Sequence, residues 1–147
     1  MFTTLNRNTL GMACEFYGVV KNDTYFTHFR HTHPNEMLEN WEVYIFIEDD
    51  VIKSWGQVQL FDGNKSHIAR LGFCVHPAYR KNGHGTAMLN HALLKCKQEK
   101  LTASTRLDNL PMLNIFLKAG FIIEGCFVNE EKINGKPISI VSLARFQ

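Results

Sequence analysis

The chain has 147 residues, of which 45% are hydrophobic and 20% charged, with a formal net charge of +2. That length suits a single domain spanning 1–147 with a substantial core, and that composition excludes wholesale disorder. Lys and Arg are spread along the chain rather than gathered in a tail or patch, which argues against a nucleic-acid partner.

The N-terminus, Met1 to Arg7, has no basic stretch followed by an apolar run, so neither a signal peptide nor a membrane span is expected and a cytoplasmic protein is the reading. Cys14, Cys74, Cys96 and Cys126 lie far apart, without a C-x-x-C pair or zinc-finger spacing, consistent with reduced thiols. Phe16 to Val20 reads as a strand, and 23–40 as a segment with short helices. Within it, His28, His31 and His33 are closely spaced, but Pro34 breaks a shared helical face and Glu36 is the nearby carboxylate, so no metal site is expected.

From Trp41 the pattern sharpens. Val43, Ile45 and Ile47 alternate with Tyr44, Phe46 and Glu48, which predicts a strand closed by a turn at Glu48-Asp49-Asp50. A second strand spans Ile52 to Phe61, Asp62-Gly63 has the residue types of a tight hairpin, and a third strand runs from Ser66 to Val75 until Pro77 ends it. After Gly85, the spacing of Met88, Leu89, Ala92, Leu93 and Cys96 predicts an amphipathic helix. A strand over Leu101 to Leu107 leads to Asp108-Asn109, either of which can cap a helix carrying Pro111 in its first turn and ending at Gly120. Strands over Phe121 to Lys132 and Ile138 to Phe146 flank Asn134-Gly135, a strong hairpin signal. The order β-β-β-α-β-α-β-β predicts a mixed α/β sheet, antiparallel in its first half and parallel where the helix crosses over, with a C-terminal hairpin.

Chemistry concentrates in Arg80-Lys81-Asn82-Gly83-His84-Gly85, between a strand and a helix. A glycine loop opening a helix presents unpaired backbone N–H groups at the positive end of the helix dipole, which suits a diphosphate. Gly83 and Gly85 would let phosphate oxygens approach, and Arg80 and Lys81 add charge-assisted contacts. No Lys-Ser or Lys-Thr follows at Walker spacing, and the preceding strand is not the first of a Rossmann unit, so nucleoside triphosphate and dinucleotide readings lose ground.

Val75-His76-Pro77-Ala78-Tyr79-Arg80-Lys81-Asn82-Gly83-His84-Gly85-Thr86-Ala87-Met88-Leu89 resembles the acetyl-CoA-binding core of the GNAT superfamily, V-x-P-x-[YF]-[RQ]-x-x-G-x-[GA]-x-x-L-L. A second block, Asn109, Phe116 and Gly120-Phe121, resembles N-x-x-A-x-x-x-Y-x-x-x-G-F at the family's spacing. The resemblance covers 41–146, and its nearest look is to ribosomal-protein-alanine and related small-amine acetyltransferases. It implies a GNAT-like fold with a V-shaped opening near Phe73 to Val75 and Leu101 to Thr105. Backbone groups of Phe73, Cys74 and Val75 would hold pantetheine. Arg80, Lys81, Asn82, Gly83, His84, Gly85 and Thr86 would hold the diphosphate, Asn109 would orient the thioester, and Phe116 would take the place of a cofactor-contacting tyrosine. It further implies acetyl transfer from acetyl-CoA, as cosubstrate, to a primary amine of a small molecule or protein, and homodimerisation through the C-terminal strands.

Direct attack requires a neutral amine, an oxyanion donor such as the Val75 N–H, and departure of the thiolate. The family's usual glutamate falls at Ala69. By strand parity His67 shares a face with Ala69, Leu71, Phe73 and Val75 and is the candidate base, beside a solvated strand-end histidine. Phe116 lacks the hydroxyl that often protonates the thiolate; Tyr79 and Cys126 are candidate substitutes, beside the reading of each as a loop or packing residue. These departures keep a second reading open, a non-catalytic acyl-CoA-binding or regulatory module.

Overall fold

The computed structural model describes residues 1–23, Pro34 and 41–147. Strands β1 (Phe2–Thr4), β2 (Glu42–Glu48), β3 (Val51–Leu60), β4 (Ile68–Val75), β5 (Lys100–Arg106), β6 (Ile122–Ile133) and β7 (Lys136–Phe146) form a seven-stranded sheet in the order β1-β2-β3-β4-β5-β7-β6. Every neighbouring pair is antiparallel except β4 and β5. The mixed α/β sheet expected from the hydrophobic pattern is the one observed.

Helix α1 (Leu10–Val20) lies on one face of the sheet. Phe16 to Val20 is therefore the end of a helix rather than a strand. Ala13, Phe16 and Val20 recur at helical spacing and are buried against Val43, Ile45, Trp55 and Cys74, so packing on the sheet decides the conformation of a short β-branched and aromatic run that is locally ambiguous. Phe16 stacks on Trp55 with ring centroids 5.9 Å apart. Strand β1, which the sequence pattern does not announce, completes the edge beyond β2, where Phe2 pairs with Phe46.

The opposite face carries α2 (His84–Lys95) and α3 (Leu110–Lys118). Met88, Leu89 and Ala92 of α2 and Leu113 and Phe116 of α3 bury against Tyr44, Val58, Ala69, Leu71, Phe73, Leu101 and Leu143. Side chains such as Met88, Leu89 and Leu101 are at most 1% exposed, each worth about 1.5–3 kcal/mol of burial. Alternation along β4 sends Ala69, Leu71 and Phe73 to this core and Cys74 to the α1 side, as a strand's period of two requires.

Turns follow the local chemistry closely. Asp49 and Asp50 take φ of 53° and 58°, and Asn134 and Gly135 take 51° and 77°, the left-handed pairs of a two-residue primed hairpin. Asp62-Gly63 behaves differently: Gly63 has φ 61°, but Gly63–Lys65 forms a turn of 3-10 helix and β4 begins only at Ile68. The feature that shapes the site is the parallel pair. β4 and β5 register only at Ile68, Ala69 and Arg70 opposite Lys100, Leu101 and Thr102, after which the strands diverge. The expected opening is present, beginning just beyond Ala69–Leu101.

Candidate functional site

A cavity of about 610 Å³ fills the divergence and runs to the N-terminus of α2. Its walls are Phe73, Cys74 and Val75 from the end of β4, the loop and first turn through Arg80, Lys81, Gly83, His84, Gly85 and Thr86, and Asn109, Met112 and Ile115 from the start of α3. Among the described residues, the β4 edge that faces β5 has no strand partner beyond Arg70, so a ligand laid along it meets backbone donors and acceptors. Phe73, Val75, Met112 and Ile115 give it apolar walls, and Arg80 and Lys81 stand at the end that meets the N-terminus of α2.

That end is electropositive by construction. The first N–H groups of a helix have no intrahelical acceptor, and α2 has no acidic residue in its first turn to offset its dipole. Gly83 caps α2 with φ 83° and ψ 0°, a left-handed conformation that a side chain disfavours. Lys81 adopts φ 65°. The two glycines of the loop differ in kind. Nothing lies within 4 Å of where a Gly83 Cβ would stand, whereas a Gly85 Cβ would meet Ile115 Cδ1 at 3.1 Å and Val75 Cγ2 at 3.6 Å. Gly83 shapes the loop, and Gly85 lets α2 seat against α3 and β4.

Arg80 bridges the loop to two other elements. Its Nε donates to the Val75 carbonyl at 3.3 Å and its Nη2 to the Asp23 carboxylate, just beyond α1 and 57 residues away in sequence. The turn that delivers Arg80 is held from β3: the Lys53 carbonyl accepts the His76 N–H at 2.9 Å, and the buried Lys53 ammonium sits 3.4 Å from the centroid of the Tyr79 ring. His76 Nδ1 accepts the Ala78 N–H at 3.1 Å, and burial, reinforced by Lys53 and Arg80, holds its pKa below the ordinary histidine value. Burial pushes the Cys74 thiol up to about 12, which removes it as a nucleophile near neutrality.

On the far wall, Asn109 caps α3. Its Oδ1 accepts the Met112 N–H at 3.4 Å and its Nδ2 donates to Thr105 Oγ1 at 3.2 Å. Asp108 receives a two-point contact from Arg106, at 2.8 and 2.7 Å, and that hydrogen bonding keeps its carboxyl below the usual range.

Most residues expected to form a site meet here, with three exceptions. Phe116 is 2% exposed and packs with Phe73 and Phe121 at 5.1 and 4.9 Å; Met112 and Ile115, not Phe116, face the cavity, because the core side of a short amphipathic helix claims its largest ring. Asn82 turns its amide back to the Tyr79 carbonyl at 3.3 Å and does not line the cavity. His67 lies in the exposed turn before β4, about 13 Å along the chain from Leu71 and at the closed end, where β4 and β5 are paired. Strand parity does not carry over to it because the strand starts one residue later. Tyr79 is under the Lys53 ammonium and Cys126 is exposed on the edge strand β6, neither lining the cavity. Asp23, Asp108, Asn114 and Lys118 do line it without any motif that marks them. His28, His31 and His33 lie outside the described residues. Among the described residues, no three His, Cys, Asp or Glu side chains gather as a metal site, and no helix is long and apolar enough to cross a membrane.

The family model described as "Acetyltransferase (GNAT) family" matches residues 13–121. The L-amino acid N-acetyltransferase AaaT of Escherichia coli (strain K12) is 26% identical over 85 residues, 55% of this chain and 52% of that protein, so the match spans about half of that relative's length. Among solved structures, an acetyltransferase of the GNAT family from Streptococcus pneumoniae superposes with a TM-score of 0.89 at 18% identity, covering 100% of this chain and 99% of its own. YncA, a putative acetyltransferase from Salmonella typhimurium solved with acetyl-CoA, gives a TM-score of 0.84 at 13% identity, covering 99% and 92%.

Proposed function

The chain belongs to the GNAT acetyltransferase family, and from that premise we propose that it is an N-acetyltransferase, one catalytic unit over 1–147, that transfers an acetyl group from acetyl-CoA to a primary amine. The observation that carries this reading is one continuous cavity linking the unpaired β4 edge to the N-terminus of α2. Pantetheine lies along Phe73, Cys74 and Val75, and its amides meet strand backbone. The diphosphate meets the N–H groups after Gly83, with Arg80 and Lys81 supplying charge. The complex of YncA with acetyl-CoA supports the same cofactor.

In the reaction, the neutral amine nitrogen attacks the thioester carbonyl carbon, a backbone N–H of β4 such as that of Val75 stabilises the oxyanion, and the C–S bond breaks to release the CoA thiolate; the proton that the nitrogen sheds passes to solvent water, and the net products are the amide and the CoA thiol. A thiol pKa near 8.5 makes that departure undemanding, which fits a site with no tyrosine hydroxyl at position 116. Asn109 orients the acyl arm from the cap of α3.

The acceptor follows from the missing base. Ala69 is fully buried in the paired part of β4, and His67 is out of reach. Without strong base assistance, the cost of presenting a neutral amine at pH 7 decides the substrate. It is about 1 kcal/mol for the α-amino group of a peptide and about 4.6 kcal/mol for a lysine side chain. A peptide N-terminus is therefore favoured over a lysine side chain, with the α-amino group of a free amino acid, made more basic by its own carboxylate, between the two; the relative named as an L-amino acid N-acetyltransferase supports an α-amino acceptor. A homodimer is part of the reading: Ile122, Ile123, Phe127 and Val128 are exposed on the edge strand β6, and a second copy is the natural cover for such an edge. The site of action is the cytoplasm.

Thiol release from acetyl-CoA across a panel of amines tests the reading. Turnover with α-amino acids or peptides exceeding that with Nα-blocked lysine is expected. CoA binding without amine-dependent turnover would favour a non-catalytic acyl-CoA-binding module, the reading motivated by Ala69 and Phe116.

A further inference from the structure

Arg80 stands at the entrance to the phosphate end of the cavity, and its guanidinium is already engaged by an internal anion. Asp23 lines the same cavity, and its side chain is 11% exposed where that of Arg80 is 44% exposed. Asp23 arrives from beyond α1, on the sheet face opposite α2 and α3, whereas Arg80 belongs to the loop that opens α2. The pair thus ties the loop to the other side of the sheet.

We propose that Asp23 is a counterion held in reserve for Arg80, exchanged for the diphosphate when CoA binds and recaptured when CoA leaves. The proposal rests on the acyl-CoA reading above. A carboxylate and a diphosphate compete for the same guanidinium donors, and the diphosphate, with more charge and the helix N-terminus behind it, displaces the carboxylate. Arg80 is exposed enough to turn without entering an apolar environment, and its second contact, Nε to the Val75 carbonyl, anchors its stem near the diverging strand. The exchange weakens CoA binding by the strength of the displaced pair, and that same amount hastens release of the product CoA. Asp23 is therefore a determinant of donor affinity that discriminates by phosphate: a ligand lacking the diphosphate leaves the pair in place.

The test is a binding cycle with CoA and with pantetheine, in the wild type, Asp23→Asn, Asp23→Ser, Arg80→Ala and Asp23→Asn/Arg80→Ala, with the fold of each checked by its melting curve. Removing the carboxylate is expected to tighten CoA binding about three- to tenfold, the range of a partly exposed ion pair, and to leave pantetheine affinity unchanged. In the Arg80→Ala background the Asp23 substitution should have no effect on CoA. The proposal is overturned if both Asp23 variants bind CoA as the wild type does or more weakly, the latter meaning that the carboxylate stays to orient Arg80 on the phosphate. An equal gain for pantetheine, or the same gain without Arg80, also overturns it. Wild type that binds no CoA defeats the acyl-CoA reading itself, a result distinct from every variant effect.

Discussion

The two glycines of the Arg80–Gly85 loop have different reasons to be glycine, and their alanine variants should separate. At Gly83 the backbone is left-handed with φ 83° and the space around a Cβ is open, so Gly83→Ala has no clash to relieve and incurs the conformational cost of about 1–2 kcal/mol. For a chain of this size that corresponds to a fall in Tm of roughly 2–8 °C. At Gly85, already helical, a Cβ 3.1 Å from Ile115 Cδ1 requires that flexible methyl to move by a few tenths of an ångström. Overpacking of about 1 kcal/mol there is opposed by a gain of about 0.5–1 kcal/mol from replacing glycine in a helix. Gly85→Ala is thus expected to be near neutral in stability, whereas Gly85→Val, which drives a branched side chain between Ile115, Val75 and Phe73, should be destabilised by about 1–3 kcal/mol. Urea unfolding measures the stabilities and CoA titration the site. Gly83→Ala should weaken CoA through the altered loop, and Gly85→Ala much less. A Gly83→Ala protein as stable as wild type, beside a strongly destabilised Gly85→Ala, would refute the assignment.

Asn109→Ala removes the cap of α3 and its contact with Thr105, and is expected to cost about 1 kcal/mol, read as a lower Tm and weaker acetyl-CoA binding; Asn109→Asp should retain the cap and most of the stability. His76 has a pKa below its ordinary value because burial and the nearby cations disfavour the imidazolium. As pH falls through 6.5 the unfolded chain takes up a proton that the folded chain refuses, so stability declines from there down through the folded pKa; His76→Gln should flatten that part of a Tm-against-pH curve, and an NMR titration midpoint for His76 at or above 6.5 would contradict the cause. Cys74 and Cys96 are buried, with thiols pushed up to about 12 and about 11, so at pH 8 alkylation should mark exposed Cys126 first and leave those two unmodified until the protein unfolds.

What the chain announces locally, it announces well. Asp49-Asp50 and Asn134-Gly135 form the expected left-handed turns because residues two apart settle a hairpin. Asn109 and Pro111 open α3 because capping and a fixed φ act within one helical turn. The alternation of Val43 to Glu48 and the stripe of Met88, Leu89 and Ala92 give strand and helix because burial imposes a period of two or about 3.6. The glycine loop is legible for the same reason: a left-handed residue before a helix is a local requirement, and the unpaired N–H groups that follow it are common to helix N-termini in general.

The remainder depends on which surfaces meet. Phe16 to Val20 becomes helix only because Trp55 and Cys74 receive its buried face. The divergence of β4 from β5 after Arg70 is set by how two strands separated by a helix pack, and no dipeptide encodes it. Strand parity made His67 a candidate base, but the start of β4 at Ile68 and the closed end of the opening exclude it from the cavity. Phe116 follows the core, leaving Met112 and Ile115 to face the cavity. The pairing of Arg80 with Asp23 joins positions 57 residues apart, beyond the range of any pattern. From Trp41 onward, sequence alone determined the elements, their order and the glycine loop between β4 and α2, because those obey short-range sterics and periodicity; only the tertiary structure decided the fold of the N-terminal residues and which side chains share the cavity, because those depend on long-range packing.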